Sequence, residues 1–176
     1  MKRFVALALL VSSLALAIDV GGIPSLPSSL TDSFKQNHAL KTGTWKVFYF
    51  YPKAGTNGCT AQNIEYTKLY PEFVKSNTQV FGASSDDARS QCVFVANSKL
   101  KVPQIPSAQN SLAKIFDVGN LFGMLSRDTM IVAPSGQIAA IRRGVNPVSD
   151  AQEVLGFIQG NGDCKAFTSG ANQCKR

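Results

Sequence analysis

The chain has 176 residues, and 18 lysines and arginines against 11 aspartates and glutamates give it a formal net charge of +7. Hydrophobic residues make up 44% of the chain and charged residues 16%, a composition that excludes an intrinsically disordered protein and provides the core of a single domain. The basic residues are scattered and are not interleaved with aromatic side chains, so the sequence predicts no nucleic-acid-binding surface.

The first 17 residues have the pattern of a signal peptide. Two basic residues precede an apolar run at positions 4–17, which is shorter than the roughly 20 residues that span a bilayer. The run ends in Ala15-Leu16-Ala17, an A-x-A cleavage site. We therefore expect an exported protein (secreted, periplasmic or in an organelle lumen) without stable membrane insertion, and an uncleaved anchor is the alternative.

Strands and helices alternate after a loop-like stretch rich in glycine, proline and serine at positions 18–44. Continuous apolar, β-prone runs predict buried strands, and apolar residues at helical spacing predict amphipathic helices. In chain order the predicted elements are a strand at 46–51, a helix from Cys59 that Pro71 kinks or divides, a strand at 79–85, a helix over 86–100, a short helix at 111–116 capped by Asn110, a hairpin of strands at 129–133 and 138–143, and a helix at 150–159 with Ser149 and Gln152 as a capping box. This order predicts an α/β, thioredoxin-like fold, in which α-helices flank a central mixed β-sheet, over residues 18–160.

All four cysteines follow the predicted signal peptide, at Cys59, Cys92, Cys164 and Cys174. An even number of cysteines in an exported protein first predicts two structural disulfides. The last two lie in a polar tail, residues 161–176, and we expect them to clasp this tail as an appendix to the domain. A tail cysteine with a redox role is the alternative.

Cys59 lies at the first turn of a predicted helix, directly after a buried strand, where backbone N–H groups lack partners. Their partial positive charge favours a thiolate, the form of cysteine that attacks peroxides. Thr56 brings a hydroxyl to the same space, and Pro52 helps to fix the loop. The residue types alone do not select a cation for this thiolate, because the only histidine, His38, is interpreted as a surface residue.

The spacing Pro52-x-x-x-Thr56-x-x-Cys59 resembles the active-site motif of the peroxiredoxins. The longer segment FYFYPKAGTNGCTAQ is similar to the bacterioferritin-comigratory, or Q-type, subfamily, and the similarity extends in order over about residues 45–158. The resemblance implies a monomeric thiol-dependent peroxidase that reduces hydrogen peroxide and alkyl hydroperoxides without a cofactor or a metal. Its Arg-x-Thr motif falls on Arg127-Asp128-Thr129, which implies that Arg127 stabilises the Cys59 thiolate and binds the peroxide.

The chain departs from this subfamily at several positions. Ile64 occupies the place of a resolving cysteine five residues after the peroxidatic one, and Gln62 replaces the usual glutamate. Other members place the resolver in the next helix, where Cys92 lies about one turn before the aligned position, Val95. Cys92 is therefore the candidate resolving cysteine, with a buried inert thiol or an external resolving thiol as alternatives. The reductant is expected to be a thioredoxin-like protein or a small thiol.

Two other functions compete with a peroxidase at this stage. A thiol–disulfide oxidoreductase would carry a C-x-x-C motif, and the sequence contains none. A secreted binding module without enzymatic activity would use Cys59–Cys92 and Cys164–Cys174 as permanent disulfides.

Overall fold

The computed structural model describes residues 18–106 and 111–174. The predicted signal peptide, residues 1–17, and the predicted helix cap Asn110 lie outside the described residues. Within the described ranges the chain forms ten strands, four α-helices and a short 3-10 helix at Cys164–Ala166.

The helices are α1 (Asn57–Lys75), α2 (Ala88–Ser98), α3 (Ser111–Ile115) and α4 (Asp150–Gln159). The strands are β1 (Ser29–Thr31), β2 (Asn37–Ala39), β3 (Trp45–Phe50), β4 (Thr78–Ala83), β5 (Gln104–Ile105), β6 (Asn120–Leu121), β7 (Met124–Leu125), β8 (Thr129–Val132), β9 (Ile138–Arg143) and β10 (Ala171–Cys174).

Six strands form one sheet in the order β10-β9-β8-β3-β4-β5. The pairs β3–β4 and β4–β5 are parallel, whereas β3–β8, β8–β9 and β9–β10 are antiparallel. The central position of β3 explains its continuous apolar sequence, because both of its faces are covered. The predicted mixed sheet with flanking helices is therefore confirmed.

Alternate residues of β3 enter two separate hydrophobic cores. Val47 and Tyr49 pack on the side of α1 and α4, together with Tyr66 and Phe157. Phe48 and Phe50 point to the other side and pack with residues of α3 and β1. Cys59 belongs to the first core, so the thiol that the sequence predicts to be reactive lies between α1 and the sheet.

The segment at positions 18–44 is not simply a loop, as the sequence suggested. It contains the β1–β2 hairpin, and Leu30 of β1 is buried against the second core. His38, expected at the surface, is partly buried, and its Nε2 atom lies 2.9 Å from a carboxylate oxygen of Asp32. The strands of this hairpin are only three residues long, too short for the sequence pattern to reveal them among the glycine, proline and serine residues nearby.

Two local predictions for helices also differ from the structure, and of the kink or division expected at Pro71 only the division is tested. Pro71 does not divide α1, which continues from Asn57 to Lys75 with Tyr66 and Phe73 buried on either side of the proline. Packing of both halves against the sheet compensates for the one hydrogen bond that proline cannot make. Ser149 makes no capping hydrogen bond to the backbone of α4, and its hydroxyl instead donates to a carboxylate oxygen of Glu153 at 2.8 Å.

The tail, expected as an appendix, joins the main sheet. Residues Ala171–Cys174 pair with β9 as the edge strand β10, and Cys164 is disulfide-bonded to Cys174. The turn before β10 is held by Glu153 of α4, which accepts hydrogen bonds from the backbone N–H and the hydroxyl of Thr168.

We expect the double substitution Cys164→Ser/Cys174→Ser to lower the free energy of unfolding by about 2–3 kcal/mol, because the disulfide closes a loop of about ten residues in the unfolded chain. Urea denaturation of the oxidised wild type and of the variant measures this difference. The wild type with this disulfide reduced is the matched control and should unfold at the same urea concentration as the variant. Equal stability of the oxidised wild type and the variant would contradict the expectation.

Candidate active site

Hydrogen bonds from two backbone N–H groups fix the loop between β3 and α1. The backbone N–H of Tyr51 donates to the Ala83 carbonyl at 3.0 Å, which extends the pairing of β3 with β4. The N–H of Ala54 donates to a carboxylate oxygen of Asp86 at 2.7 Å. The last residue of β4 and Asp86, which follows the strand, therefore hold the loop that leads into Cys59.

Cys59 is a free thiol with no exposed surface, in the first turn of α1. The first i→i+4 hydrogen bond at this end of the helix joins the N–H of Thr60 to the carbonyl of Thr56 at 2.8 Å. The preceding N–H groups, including that of Cys59 itself, have no partner within the helix. Cys59 therefore lies at the positively polarised end of α1, where the sequence places it.

Arg127 brings a guanidinium group to the sulfur. Its Nη2 atom lies 3.4 Å from Sγ of Cys59, and its Nη1 atom donates to Oε1 of Gln62 at 2.7 Å. Gly58 leaves room for this side chain, because a Cβ atom at position 58 would lie 3.3 Å from Nη2 of Arg127. A larger residue at position 58 would push the guanidinium away from the thiol.

The sheet places Arg127 beside the loop although it lies 68 residues from Cys59 in the sequence. The N–H of Phe50, at the end of β3, donates to the carbonyl of Asp128 at 2.7 Å. The Asp128 carboxylate accepts hydrogen bonds from Arg143 and from the N–H of Gly144, at 2.8 and 3.1 Å. These contacts fix the backbone from which Arg127 extends.

A buried polar network lies behind Arg127, centred on the carboxylate of Asp150, which has no exposed surface. One of its oxygens accepts hydrogen bonds from Gln62 Nε2 at 3.1 Å, from the Tyr66 hydroxyl at 2.8 Å and from the Thr129 hydroxyl at 2.8 Å. The other oxygen forms a salt bridge with Arg142, which is itself fully buried and also pairs with Glu153. The four donors around this carboxylate come from three elements: Gln62 and Tyr66 from α1, Thr129 from β8 and Arg142 from β9.

Burial and hydrogen bonding act in opposite directions in this network. Removal from water is the largest effect and raises the pKa of the Asp150 carboxyl overall, although the Arg142 charge and the hydrogen bonds from Thr129, Tyr66 and Gln62 lower it in part. Burial also raises the pKa of the Tyr66 hydroxyl well above its usual value, as does the nearby Asp150 carboxylate. Tyr66 is therefore a neutral donor at physiological pH.

Thr56 and Pro52 lie in the loop at less buried positions. Thr56 is the N-cap residue of α1 and is exposed, and its hydroxyl donates to the Lys53 carbonyl at 3.2 Å instead of capping the helix. Pro52 is half-buried, directly after the strand end. Both residues border the first turn of α1, and the structure brings neither into a hydrogen bond with the Cys59 thiol.

The four cysteines separate into one disulfide and two free thiols. Cys164 and Cys174 are bonded to each other, and Cys59 and Cys92 are free. Cys92, in the first half of α2, is partly buried, and its thiol donates to the Ser33 carbonyl at 2.9 Å. The binding module with a permanent Cys59–Cys92 disulfide is therefore contradicted.

Sequence reasoning did not find Asp150, Tyr66 or Arg142. The sequence did draw attention to two residues that bind Asp150. Thr129 belongs to the Arg-x-Thr motif, and Gln62 replaces the usual glutamate of the subfamily. Within residues 18–106 and 111–174 no cluster of histidine, cysteine and acidic residues could hold a metal ion. No helix in these ranges is long and apolar enough to cross a membrane.

Comparison with known proteins identifies the family. The AhpC/TSA family matches residues 26–141 of the chain. The chain is 31% identical to the peroxiredoxin Bcp of Xanthomonas campestris pv. campestris over 141 residues, which cover 76% of this chain and 88% of that protein. It is 33% identical over 116 residues to the chloroplastic peroxiredoxin Q of Arabidopsis thaliana, covering 64% of this chain and 54% of that one.

Solved structures agree with these relatives. A cysteine-to-serine mutant of the Xylella fastidiosa PrxQ superposes with a TM-score of 0.76 at 27% identity, covering 83% of this chain and 98% of that one. The bacterioferritin comigratory protein of Xanthomonas campestris gives a TM-score of 0.72 at 28% identity, covering 82% of this chain and 99% of that one. These matches confirm the predicted thioredoxin-like peroxiredoxin fold. The chain belongs to the AhpC/TSA family, in its Bcp/PrxQ group, and is a peroxiredoxin, a thiol-dependent peroxidase.

Proposed function

We propose that Cys59 is the peroxidatic cysteine of this peroxidase and that Arg127 is the cation that activates it. The observation that carries the proposal is the 3.4 Å contact between Arg127 Nη2 and Cys59 Sγ, at a helix N-terminus. Thiolates attack peroxides, and both the guanidinium charge and the N-terminal N–H groups of α1 favour the thiolate.

The chemical step follows from this arrangement. The Cys59 thiolate attacks the terminal oxygen of the peroxide, so that a sulfur–oxygen bond forms while the oxygen–oxygen bond breaks. Sulfur is oxidised to a sulfenic acid, and the departing oxygen leaves as water or an alcohol after it takes up a proton. Arg127, the Cys59 N–H and the Thr56 hydroxyl stabilise the negative charge that moves onto the departing oxygen, and Pro52 shapes the loop around it.

We infer that the substrates include alkyl hydroperoxides besides hydrogen peroxide. The structure of the Xanthomonas campestris relative was described in connection with its alkyl peroxide reduction activity.

The second half of the cycle needs a thiol that reduces the sulfenic acid. Cys92 is the candidate within the chain, because Cys164 and Cys174 are already bonded to each other. A Cys59–Cys92 disulfide requires local unwinding of α1 and α2, since Cys59 is enclosed in the first core. An external thioredoxin-like protein or small thiol then restores both cysteines, or resolves Cys59 directly if Cys92 stays inert.

We propose further that the protein is an exported monomer. The basic residues, apolar run and A-x-A site at positions 1–17 support export, and the disulfide of the tail suits an oxidising compartment. Such a compartment favours a local thiol reductant over the cytosolic thioredoxin system.

Substitution of Cys59 by serine should abolish peroxidase activity, because a hydroxyl does not replace the attacking thiolate. Consumption of hydrogen peroxide with dithiothreitol as reductant measures the loss. The fold should be retained, which circular dichroism checks. A Cys59→Ser variant with wild-type activity would refute the assignment of the peroxidatic residue.

Substitution of Arg127 by alanine should slow oxidation of Cys59 by hydrogen peroxide by about 100-fold or more, the usual effect of removing a donor that stabilises developing charge. Stopped-flow measurement of the reduced protein gives the second-order rate constant. Arg89→Ala is the matched control, because Arg89 is exposed on α2 and should leave the rate unchanged. Equal rate constants for the two variants would contradict the role of Arg127.

One equivalent of hydrogen peroxide should produce a Cys59–Cys92 disulfide in the reduced protein, as detected by peptide mapping with mass spectrometry. In the Cys92→Ser variant the sulfenic acid of Cys59 should accumulate instead. Sulfenic acid at Cys59 with Cys92 still free in the wild type would show that an external thiol completes the cycle.

A further inference from the structure

Gln62 connects the proposed active-site cation to the buried polar network. Its side chain has no exposed surface, and its amide makes two different contacts. Oε1 accepts a hydrogen bond from Arg127 Nη1 at 2.7 Å, and Nε2 donates to Oδ2 of Asp150 at 3.1 Å. An amide has one accepting end and one donating end, so its orientation decides what Arg127 meets.

The chemistry of the two neighbours permits only one orientation. A guanidinium group can only donate, and an ionised carboxylate can only accept. Asp150 therefore requires the amino end of Gln62, which leaves the carbonyl end for Arg127. Arg142, Tyr66 and Thr129 occupy the remaining accepting positions of Asp150 and hold the carboxylate in place.

We propose that Gln62 and Asp150 are positioning residues of the peroxidase site, forming a directional hydrogen-bond relay that holds the Arg127 guanidinium against Cys59. Neither residue is proposed to contact the peroxide, since both act through Arg127. The inference rests on the proposed roles of Cys59 and Arg127. Asp150 lies at the start of α4, so the relay couples that helix to the thiol in α1.

Substitution of Asp150 by asparagine should break the relay at a distance. The single oxygen of the new amide would be held by the Arg142 cation, so its amino group would face the amino group of Gln62. Rotation of the Gln62 amide by about 180° relieves this conflict, but it points the Gln62 amino group at the Arg127 guanidinium, which is also a donor. Arg127 loses its acceptor although position 150 makes no contact with either Arg127 or Cys59.

Substitution of Gln62 by glutamate should break the relay in a different way. The new carboxylate still accepts from Arg127 but meets the Asp150 carboxylate where an amino group donated before. Two like charges or two unpaired acceptors at this distance disfavour the native arrangement. The introduced glutamate and Asp150 therefore move apart, and Arg127 moves with the side chain at position 62.

The two substitutions together should restore the relay with its direction partly reversed. In the variant Gln62→Glu/Asp150→Asn the amino group of the asparagine donates to the glutamate, whose other oxygen accepts from Arg127. The asparagine oxygen accepts from Arg142, and the hydroxyls of Tyr66 and Thr129 can accept as well as donate. Mutual rescue of this kind is not expected if the two residues merely fill space.

The experiment measures the second-order rate constant for oxidation of Cys59 by hydrogen peroxide in the mature, reduced protein, by rapid quenching with a thiol-alkylating reagent and mass spectrometry. Each single variant should react about tenfold more slowly than the wild type or worse, and the double variant should return to within about threefold of it. Gln79→Glu is the matched control. The Gln79 amide is likewise hydrogen-bonded at both ends, to Lys41 and Ala39, and lies at the start of β4 away from Arg127.

Wild-type rate constants in folded Asp150→Asn and Gln62→Glu variants would overturn the inference, even if their unfolding temperatures fell, because a structural role alone predicts that result. If a single variant does not fold, the double variant decides. A fast, folded double variant supports the relay, and one that is unfolded or no faster than about a tenth of the wild-type rate constant overturns it. Activity retained in Cys59→Ser would instead refute the proposed function itself.

Discussion

The contacts of the buried Asp150 carboxylate fix the relative positions of the elements around Cys59 and Arg127. The carboxylate is fully buried, and an unpaired charge in that position would be strongly unfavourable. The fold satisfies it by bringing donors from α1, β8 and β9 to one point, through Gln62 and Tyr66, Thr129, and Arg142. Removing one partner from such an arrangement leaves another polar group buried and unpaired, so the three elements and α4 are tied in one relative position.

The same arrangement separates a rigid part of the site from an accessible part. Cys59 and Gln62 are buried, and Arg127 is partly buried in the loop after β7, next to the end of β3. Thr56, at the N-cap of α1, is exposed. With Cys59 and Arg127 in their proposed roles, a peroxide would meet a cation and a helix N-terminus that the fold already holds in position, and such preorganised groups stabilise developing charge most effectively.

The tail completes this network from the opposite side. Arg142, whose partner is Asp150, also pairs with Glu153, and the carboxylate of Glu153 binds the turn at Thr168. The ring of Phe167 covers Arg142, with the guanidinium carbon 4.4 Å from the ring centroid. The Cys164–Cys174 disulfide and β10 keep these residues over the buried arginine, so the tail shields a charge pair whose aspartate also binds Gln62.

Patterns along the chain predict the local elements and the position of the thiol. The apolar run of β3, the glycine-containing loop and the cysteine at a helix start are signals between near neighbours, and they predicted the mixed α/β fold and the position of Cys59 in the first turn of α1. Resemblance pointed to Arg127, and the sheet then placed it 3.4 Å from the sulfur. Three features are visible only in the folded molecule: the hairpin at 29–39, the continuity of α1 across Pro71 and the Asp150 network. Each depends on contacts between distant segments, and a polar residue such as Asp150 reads as a helix-start residue until packing removes it from water.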